Sequence, residues 1–208
     1  DLVGFNVAKK SAIILSTECG DIQNNLFAVD IATGKRKLLD NGRGMHGNHW
    51  QPSGHHNEIL SASGALLFDR YDEPDVPRVI NIVDTHTGKH VNYFTADNPW
   101  KEKDAPIFSC GTIKAADGTT DLYYRMVKPH DFDPNKKYPT VVYVYGGPGV
   151  RNVEAGWHYA SRGWESYMAA KGYVLFILDN RGSSARGLAF EQATFRHLGQ
   201  EEMKDQMK

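Results

Sequence analysis

The 208 residues carry 24 basic and 25 acidic side chains, a formal charge of −1, and 40% of them are apolar; that suits one ordinary domain or two small ones with a real core and excludes the basic field a nucleic-acid module needs. No apolar run approaches the ~20 residues of a membrane span. Cys19 and Cys110 are the two cysteines, too few for a disulfide framework, and read as free thiols; no basic stretch with an apolar run follows Asp1, so a signal peptide is expected to be absent or already removed.

Residues 1–93 read as all-β. Short apolar runs at 12–15, 26–29, 59–60, 66–68 and 79–83 alternate with Gly, Asn, Asp and Pro clusters, which predicts a sandwich, barrel or propeller. One internal echo bears on the choice. The run ending at Asp30 continues through Thr33, Gly34 and Lys35; the run ending at Asp84 continues through Thr87, Gly88 and Lys89, 54 residues later. Asp favours turn starts and Gly takes a positive φ without steric cost, so both copies predict a hairpin turn. A period near 50 favours a propeller, one sheet per repeat, with a sandwich as the alternative.

Residues 94–138 form a transition, with a predicted hairpin of 113–115 and 122–127 around Ala116-Asp117-Gly118. A polar connector punctuated by Pro129, Pro134 and Pro139 follows. Beyond it the character changes. The apolar run 141–145 predicts a strand buried on both faces. Trp157, Ala160, Trp164, Tyr167 and Met168 recur at helical spacing, as a core-packing stripe, and Gly172 sits where a C-cap belongs. A second buried strand is expected over 173–178, a helix over 188–198 stopped by Gly199, and another helix from Glu201. Strand, helix and buried strand predict a parallel crossover, with ligands at the carboxyl ends of the strands. The loops there are 145–149 and 179–184.

The loop Tyr145-Gly146-Gly147-Pro148-Gly149 is the best candidate for chemistry. Its glycines let the backbone approach a ligand closely, and a loop in this place supplies oxyanion donors in α/β-hydrolases; the phenol of Tyr145 can add one. On the residues alone a sharp strand-exit turn without catalytic duty is the favoured reading. A phosphate cradle is disfavoured, since no G-x-x-x-x-G-K-[ST] exists in the sequence. His46, His49, His55 and His56 with Glu58 crowd one segment, but their spacing fits no zinc pattern; they read as neutral imidazoles on a polar loop. Cys110 has no identifiable activating partner, and Glu201-Glu202 suits a helix N-terminus electrostatically. No metal and no cofactor are expected.

Several of these residues carry a resemblance. Lys137-Tyr138-Pro139 leading through 141–144 into Tyr145-Gly146-Gly147-Pro148-Gly149 resembles the opening of the catalytic domain in prolyl oligopeptidase family serine peptidases, dipeptidyl peptidase IV branch. Phe176-Ile177-Leu178-Asp179-Asn180-Arg181-Gly182-Ser183 resembles that branch's next strand and loop. Phe195-Arg196-His197-Leu198-Gly199, then Glu202 and Asp205-Gln206, resembles the stretch before its nucleophile. Upstream, His46 with Trp50-Gln51-Pro52-Ser53-Gly54 is similar to a blade motif.

The resemblance implies an α/β fold: the C-terminal part of a β-propeller (all-β) over 1–95, then the first strands and helices of an α/β-hydrolase domain over 96–208. It gives Tyr145 the role of oxyanion donor and Gly146 and Gly147 that of the oxyanion loop, and leaves the substrate-binding residues unknown. It implies a peptidase releasing N-terminal dipeptides, often after proline, from a peptide substrate, in a homo-oligomeric, periplasmic or extracellular parent. The alternatives are another family member (acylaminoacyl, oligo- or tripeptidyl peptidase) or a propeller-derived binding module without catalysis. Arg151 lies where substrate contact is conceivable; Arg181 is expected to brace its loop through carboxylates. No serine has glycine at both −2 and +2, Ser184 coming nearest, so the G-x-S-x-G elbow is missing. The chain therefore reads as a piece of a peptidase cut on both sides, inactive alone.

Overall fold

The structure, a computed structural model, describes residues 1–47, 59–101 and 103–208. His49, His55, His56 and Glu58 of the histidine-rich segment lie outside the described residues. The chain divides into two compact units, residues 1–98 with 155–157, and residues 99–154 with 158–208.

In the first unit, β1 (Leu2–Asn6), β2 (Ser11–Ser16), β3 (Asn25–Asp30) and β4 (Arg36–Leu38) form an antiparallel meander in that spatial order. The second sheet contains β5 (Met45–His46), β6 (Ile59–Leu60), β7 (Leu66–Glu73), β8 (Val76–Asp84) and β9 (His90–Thr95). Here β5 and β6 both pair with β7, which pairs with β8, and β8 with β9. Period-two burial along β2 turns Ile13 and Leu15 inward. They join Leu26, Ala28, Leu39, Leu67 and Val83 in one core shared by the two sheets. Each such leucine or isoleucine contributes about 2 kcal/mol by burial.

The two echoed turns have the same bonding. Asp30 Oδ1 accepts from the Thr33 N–H (2.8 Å) and Gly34 N–H donates to the Asp30 carbonyl (2.8 Å). Asp84 Oδ1 accepts from the Thr87 N–H (2.7 Å) and Gly88 N–H donates to the Asp84 carbonyl (2.8 Å). Gly34 and Gly88 take φ of 70° and 75°, a conformation that favours glycine. Each turn links the last two strands of its sheet, which is why the repeat is legible at this point.

His46 corrects the reading of it as a neutral imidazole on a polar loop. It is buried on β5, stacked on Tyr71 at 4.7 Å, with Nδ1 2.8 Å from Asp69 Oδ2 and Nε2 3.5 Å from Asp40 Oδ2. Burial disfavours the imidazolium, but the Asp69 hydrogen bond, the charges of Asp69 and Asp40 and the Arg43 carbonyl outweigh it and raise its pKa above the ordinary 6.5. A basic group whose pKa is raised by folding contributes stability that is complete below its unfolded pKa and is lost as pH rises through the folded value. The first unit is therefore expected to lose stability on going upward from about pH 6.5, measured as the fall in its melting temperature between pH 6 and 9. His46→Gln should remove that slope; a slope unchanged by His46→Gln contradicts the assignment.

The second unit holds a mixed sheet of β10 (Ile107–Lys114), β11 (Asp121–Lys128), β12 (Thr140–Tyr143) and β13 (Val174–Leu178), in the order β10-β11-β13-β12. The predicted hairpin is β10 and β11, and β12 runs parallel to β13 as predicted. Helices α1 (Gly163–Ala170), α2 (Leu188–Glu191) and α3 (Glu201–Gln206) complete it. Val127, Val153, Ala169, Leu175 and Ile177 form the main core.

Three expectations fail in this unit. The first apolar run is not buried on both faces: β12 ends the sheet, pairing among the described residues only with β13, and Val142 and Val144 are 55% and 47% exposed. An apolar run cannot distinguish a central strand from an end strand covered on one face. The aromatic stripe is not core either: Trp164 and Tyr167 are exposed, and α1 buries Glu165 and Ala169 instead. The helix starts only at Gly163 because His158, Tyr159 and Ala160 adopt left-handed conformations, φ 51°, 57° and 63°, which separates Trp157 from it. The helix predicted over 188–198 stops at Glu191, tightens into a 3-10 turn at Gln192–Thr194, and ends with Arg196 at φ 62°. Phe195 and Leu198 consequently face solvent.

Candidate active site

The site is built where β12 and β13 end. Beyond Tyr143 the chain turns through Gly146 and Gly149, at φ 75° and 79°, which accounts for glycine at both. Gly147 serves a different purpose: a β-carbon there would lie 3.3 Å from Tyr145 Cε1, so the phenol ring rests against the glycine backbone. Tyr145 itself is 52% exposed, a phenol presented to solvent rather than packed away.

The loop after β13 holds this corner from behind. Asn180, buried, donates from Nδ2 to the Gly146 carbonyl (3.2 Å) and to the Arg181 carbonyl (2.7 Å). Its neighbour Asp179, also buried, accepts from the Asn152 N–H (2.9 Å), the Val153 N–H (2.8 Å) and Asn152 Nδ2 (3.2 Å). Burial pushes the Asp179 carboxyl pKa up against the lowering effect of these donors. The end of β13 thus fixes both arms of the chain leaving β12.

Charged residues complete the frame. Arg125 in the middle of β11 is fully buried against Glu165 of α1, with Nε to Oε2 at 3.2 Å and Nη2 to Oε1 at 2.6 Å, and its Nη1 donates to the Asn152 carbonyl. Arg181 donates from its backbone N–H (3.0 Å) and Nε (2.9 Å) to Asp205 Oδ2, and from Nη2 to Asp205 Oδ1 and Glu201 Oε2, each at 2.9 Å. It braces the loop, as expected. Arg151 is buried beside Glu154, with Nε 3.3 Å from Oε1, so it is packed away rather than displayed toward a substrate.

The remaining candidates do not join the corner. Ser183 donates its hydroxyl to the Asn180 carbonyl (2.8 Å) and closes a turn. Cys19 and Cys110 are free thiols, and burial pushes the Cys110 pKa up to about 11, which leaves an inert thiol at neutral pH. Burial also depresses His158, stacked on Phe108 at 3.7 Å, to about 4. A cavity of about 320 Å³ lined by Phe5, Val7, Lys10, Ile31 and Ala32 and one of about 90 Å³ around His46 belong to the first unit. Among the described residues no group of three or more His, Cys, Asp or Glu is arranged to hold a metal, and no helix is long and apolar enough to cross a membrane.

Sequence reasoning singled out the corner but not what holds it. Arg125 and Glu165, Asp179 and Asn180 were not read as site residues. The arginine inside the apolar strand 122–127 was an available signal, because a charge at such a position is paired when buried. The arrangement offers a hydrogen-bond donor, an exposed phenol, at the carboxyl end of a parallel strand, on a backbone fixed by a buried amide. That is suited to stabilising negative charge on an oxygen.

The family model described as the prolyl oligopeptidase family matches residues 159–208. Human dipeptidyl peptidase 8 is 45% identical over 104 residues, 49% of this chain and 12% of that protein. A solved Bacteroides ovatus protein assigned as a dipeptidyl aminopeptidase IV superposes with a TM-score of 0.85 at 48% identity, covering 100% of this chain and 28% of that one. Porphyromonas gingivalis dipeptidyl peptidase 4 gives a TM-score of 0.83 at 26% identity, with the same coverage. The matched parts thus span between 12% and 28% of the length of these relatives. In this match the two antiparallel sheets are propeller blades and the mixed sheet is the start of an α/β-hydrolase fold. From these similarities the chain belongs to the prolyl oligopeptidase family of serine peptidases, on its dipeptidyl peptidase IV-like branch.

Proposed function

We propose that the chain serves a serine exopeptidase that removes N-terminal dipeptides, often ending in proline, through an acyl-enzyme, and that Tyr145 donates its hydroxyl to the oxyanion while Gly146 and Gly147 shape the loop. Residues 1–95 are assigned to the terminal propeller blades and 96–208 to the first part of the catalytic domain. The compact-unit division after residue 98 supports this assignment, residues 155–157 being the exception. The observation that carries the reading is the exposed Tyr145 phenol resting on Gly147 at the end of β12. A donor so placed meets the developing oxyanion without reorganisation, which is the source of such stabilisation. The parent is taken to be a homo-oligomer acting on peptides.

The test is dipeptide release. The complete protein is expected to liberate dipeptide from a glycyl-prolyl anilide, to fail on the same substrate with a blocked N-terminus, and to be inactivated by a serine-directed phosphonate. The 208-residue chain alone, which contains no G-x-S-x-G, is expected to release none. Cleavage of the blocked substrate at equal rate, or phosphonate-sensitive turnover by the chain alone, contradicts the proposal.

A further inference from the structure

More than half of Tyr145 is exposed, and its ring lies against Gly147. Its position is therefore set by the backbone it rests on, and the question becomes what fixes that backbone. Gly146 sits at φ 75°, a region a glycine enters and leaves freely, so the turn has no intrinsic rigidity. The Gly146 carbonyl accepts from Asn180 Nδ2 at 3.2 Å. The carbonyl belongs to the planar, trans peptide that joins Gly146 to Gly147, so fixing that oxygen orients the peptide on which the phenol lies.

Asn180 is itself fully bonded. Its two amide protons go to the carbonyls of Gly146 and Arg181. Its Oδ1 accepts from Gln206 Nε2 at 2.9 Å, and the other proton of that Gln206 amide goes to the Leu178 carbonyl at 3.1 Å. An amide offers two donors and an acceptor with two lone pairs, and the roles of the Asn180 atoms follow from these partners. A partly buried chain of amides thus runs from the last residue of α3 to the loop under the phenol.

We propose that Asn180, oriented by Gln206, is a positioning residue for oxyanion stabilisation: by holding the Gly146 carbonyl it sets the backbone that places the Tyr145 hydroxyl. The proposal rests on the exopeptidase reading above and deepens it. Displacing a reacting group by about 1 Å can cost on the order of 100-fold in rate, so a residue that acts only through Tyr145 is expected to have a somewhat smaller effect than removing its hydroxyl.

The experiment is a double-substitution cycle in the complete enzyme, read as kcat and KM for a glycyl-prolyl anilide. Asn180→Asp keeps the acceptor for Gln206 and removes the donor to Gly146. It is expected to lower kcat about 30-fold and to leave KM within about twofold. Gln206→Ala should act in the same direction, about fivefold. In a Tyr145→Phe background both effects should shrink below about threefold, because the group they position is gone. If Asn180→Asp does not fold, Gln206→Ala carries the same cycle. Losses that simply multiply with that of Tyr145→Phe, or that fall on KM alone, overturn the positioning role. Should Tyr145→Phe itself leave kcat unchanged, the oxyanion reading fails first, which distinguishes the two.

Discussion

Tyr145→Phe in the complete enzyme is expected to lower kcat by about 100-fold or more and to leave KM within about twofold. The substitution deletes one oxygen from a ring that is already half in solvent, so no buried partner is orphaned and the fold has no reason to change. Under the proposed role, what is lost is a donor whose interaction exists only when the substrate carbonyl acquires negative charge. Such a loss falls on the chemical step and not on ground-state binding. Steady-state kinetics on a glycyl-prolyl anilide read the split directly. A rise in KM with kcat intact would assign Tyr145 to substrate binding instead. The same variant should bind a dipeptidyl boronate, which becomes tetrahedral on the nucleophile, about as much more weakly as it turns over more slowly.

The largest stability effect is expected at Arg125. Its guanidinium and the Glu165 carboxylate are 1% and 0% exposed and joined by two hydrogen bonds. Arg125→Met leaves a carboxylate buried without its cation, which costs about 3–5 kcal/mol. A chain of this size should then melt roughly 10 °C lower. The double variant Arg125→Met, Glu165→Leu removes both charges and should recover more than half of that loss, since an apolar pair of similar volume is often as stable as a buried ion pair. Thermal unfolding of the two variants beside the wild type checks this. A double variant less stable than Arg125→Met would mean that the guanidinium acts chiefly through the Asn152 and Tyr159 carbonyls rather than through Glu165.

The contrast between these two sites explains what the sequence reveals and what it does not. The paired turns after Asp30 and Asp84 were legible because their bonds close within five residues and their glycines have a local conformational cause. The Tyr145–Gly149 corner was legible for the same reason, as glycines after an apolar strand. Arg125 and Glu165 are 40 residues apart, and Asp179 reaches back 27 residues to Asn152, so neither pairing has a local signature. The left-handed run at His158–Ala160 contains no glycine to announce it, and it is this run that displaced the predicted helix. The exposed face of β12 was misread because Val141–Val144 carry no polar residue to mark the side turned outward. His46 was misread because its carboxylate partners arrive from elsewhere, Asp69 from β7 and Asp40 from the loop between β4 and β5.

The central claim concerns one oxygen-to-oxygen distance, and a crystal structure of the complete protein with a dipeptidyl boronate bound measures it. The Tyr145 hydroxyl should lie about 2.7–3.1 Å from a tetrahedral boronate oxygen, with the Gly146 carbonyl still held by Asn180. A boronate bound covalently with that phenol turned away from it would contradict the account.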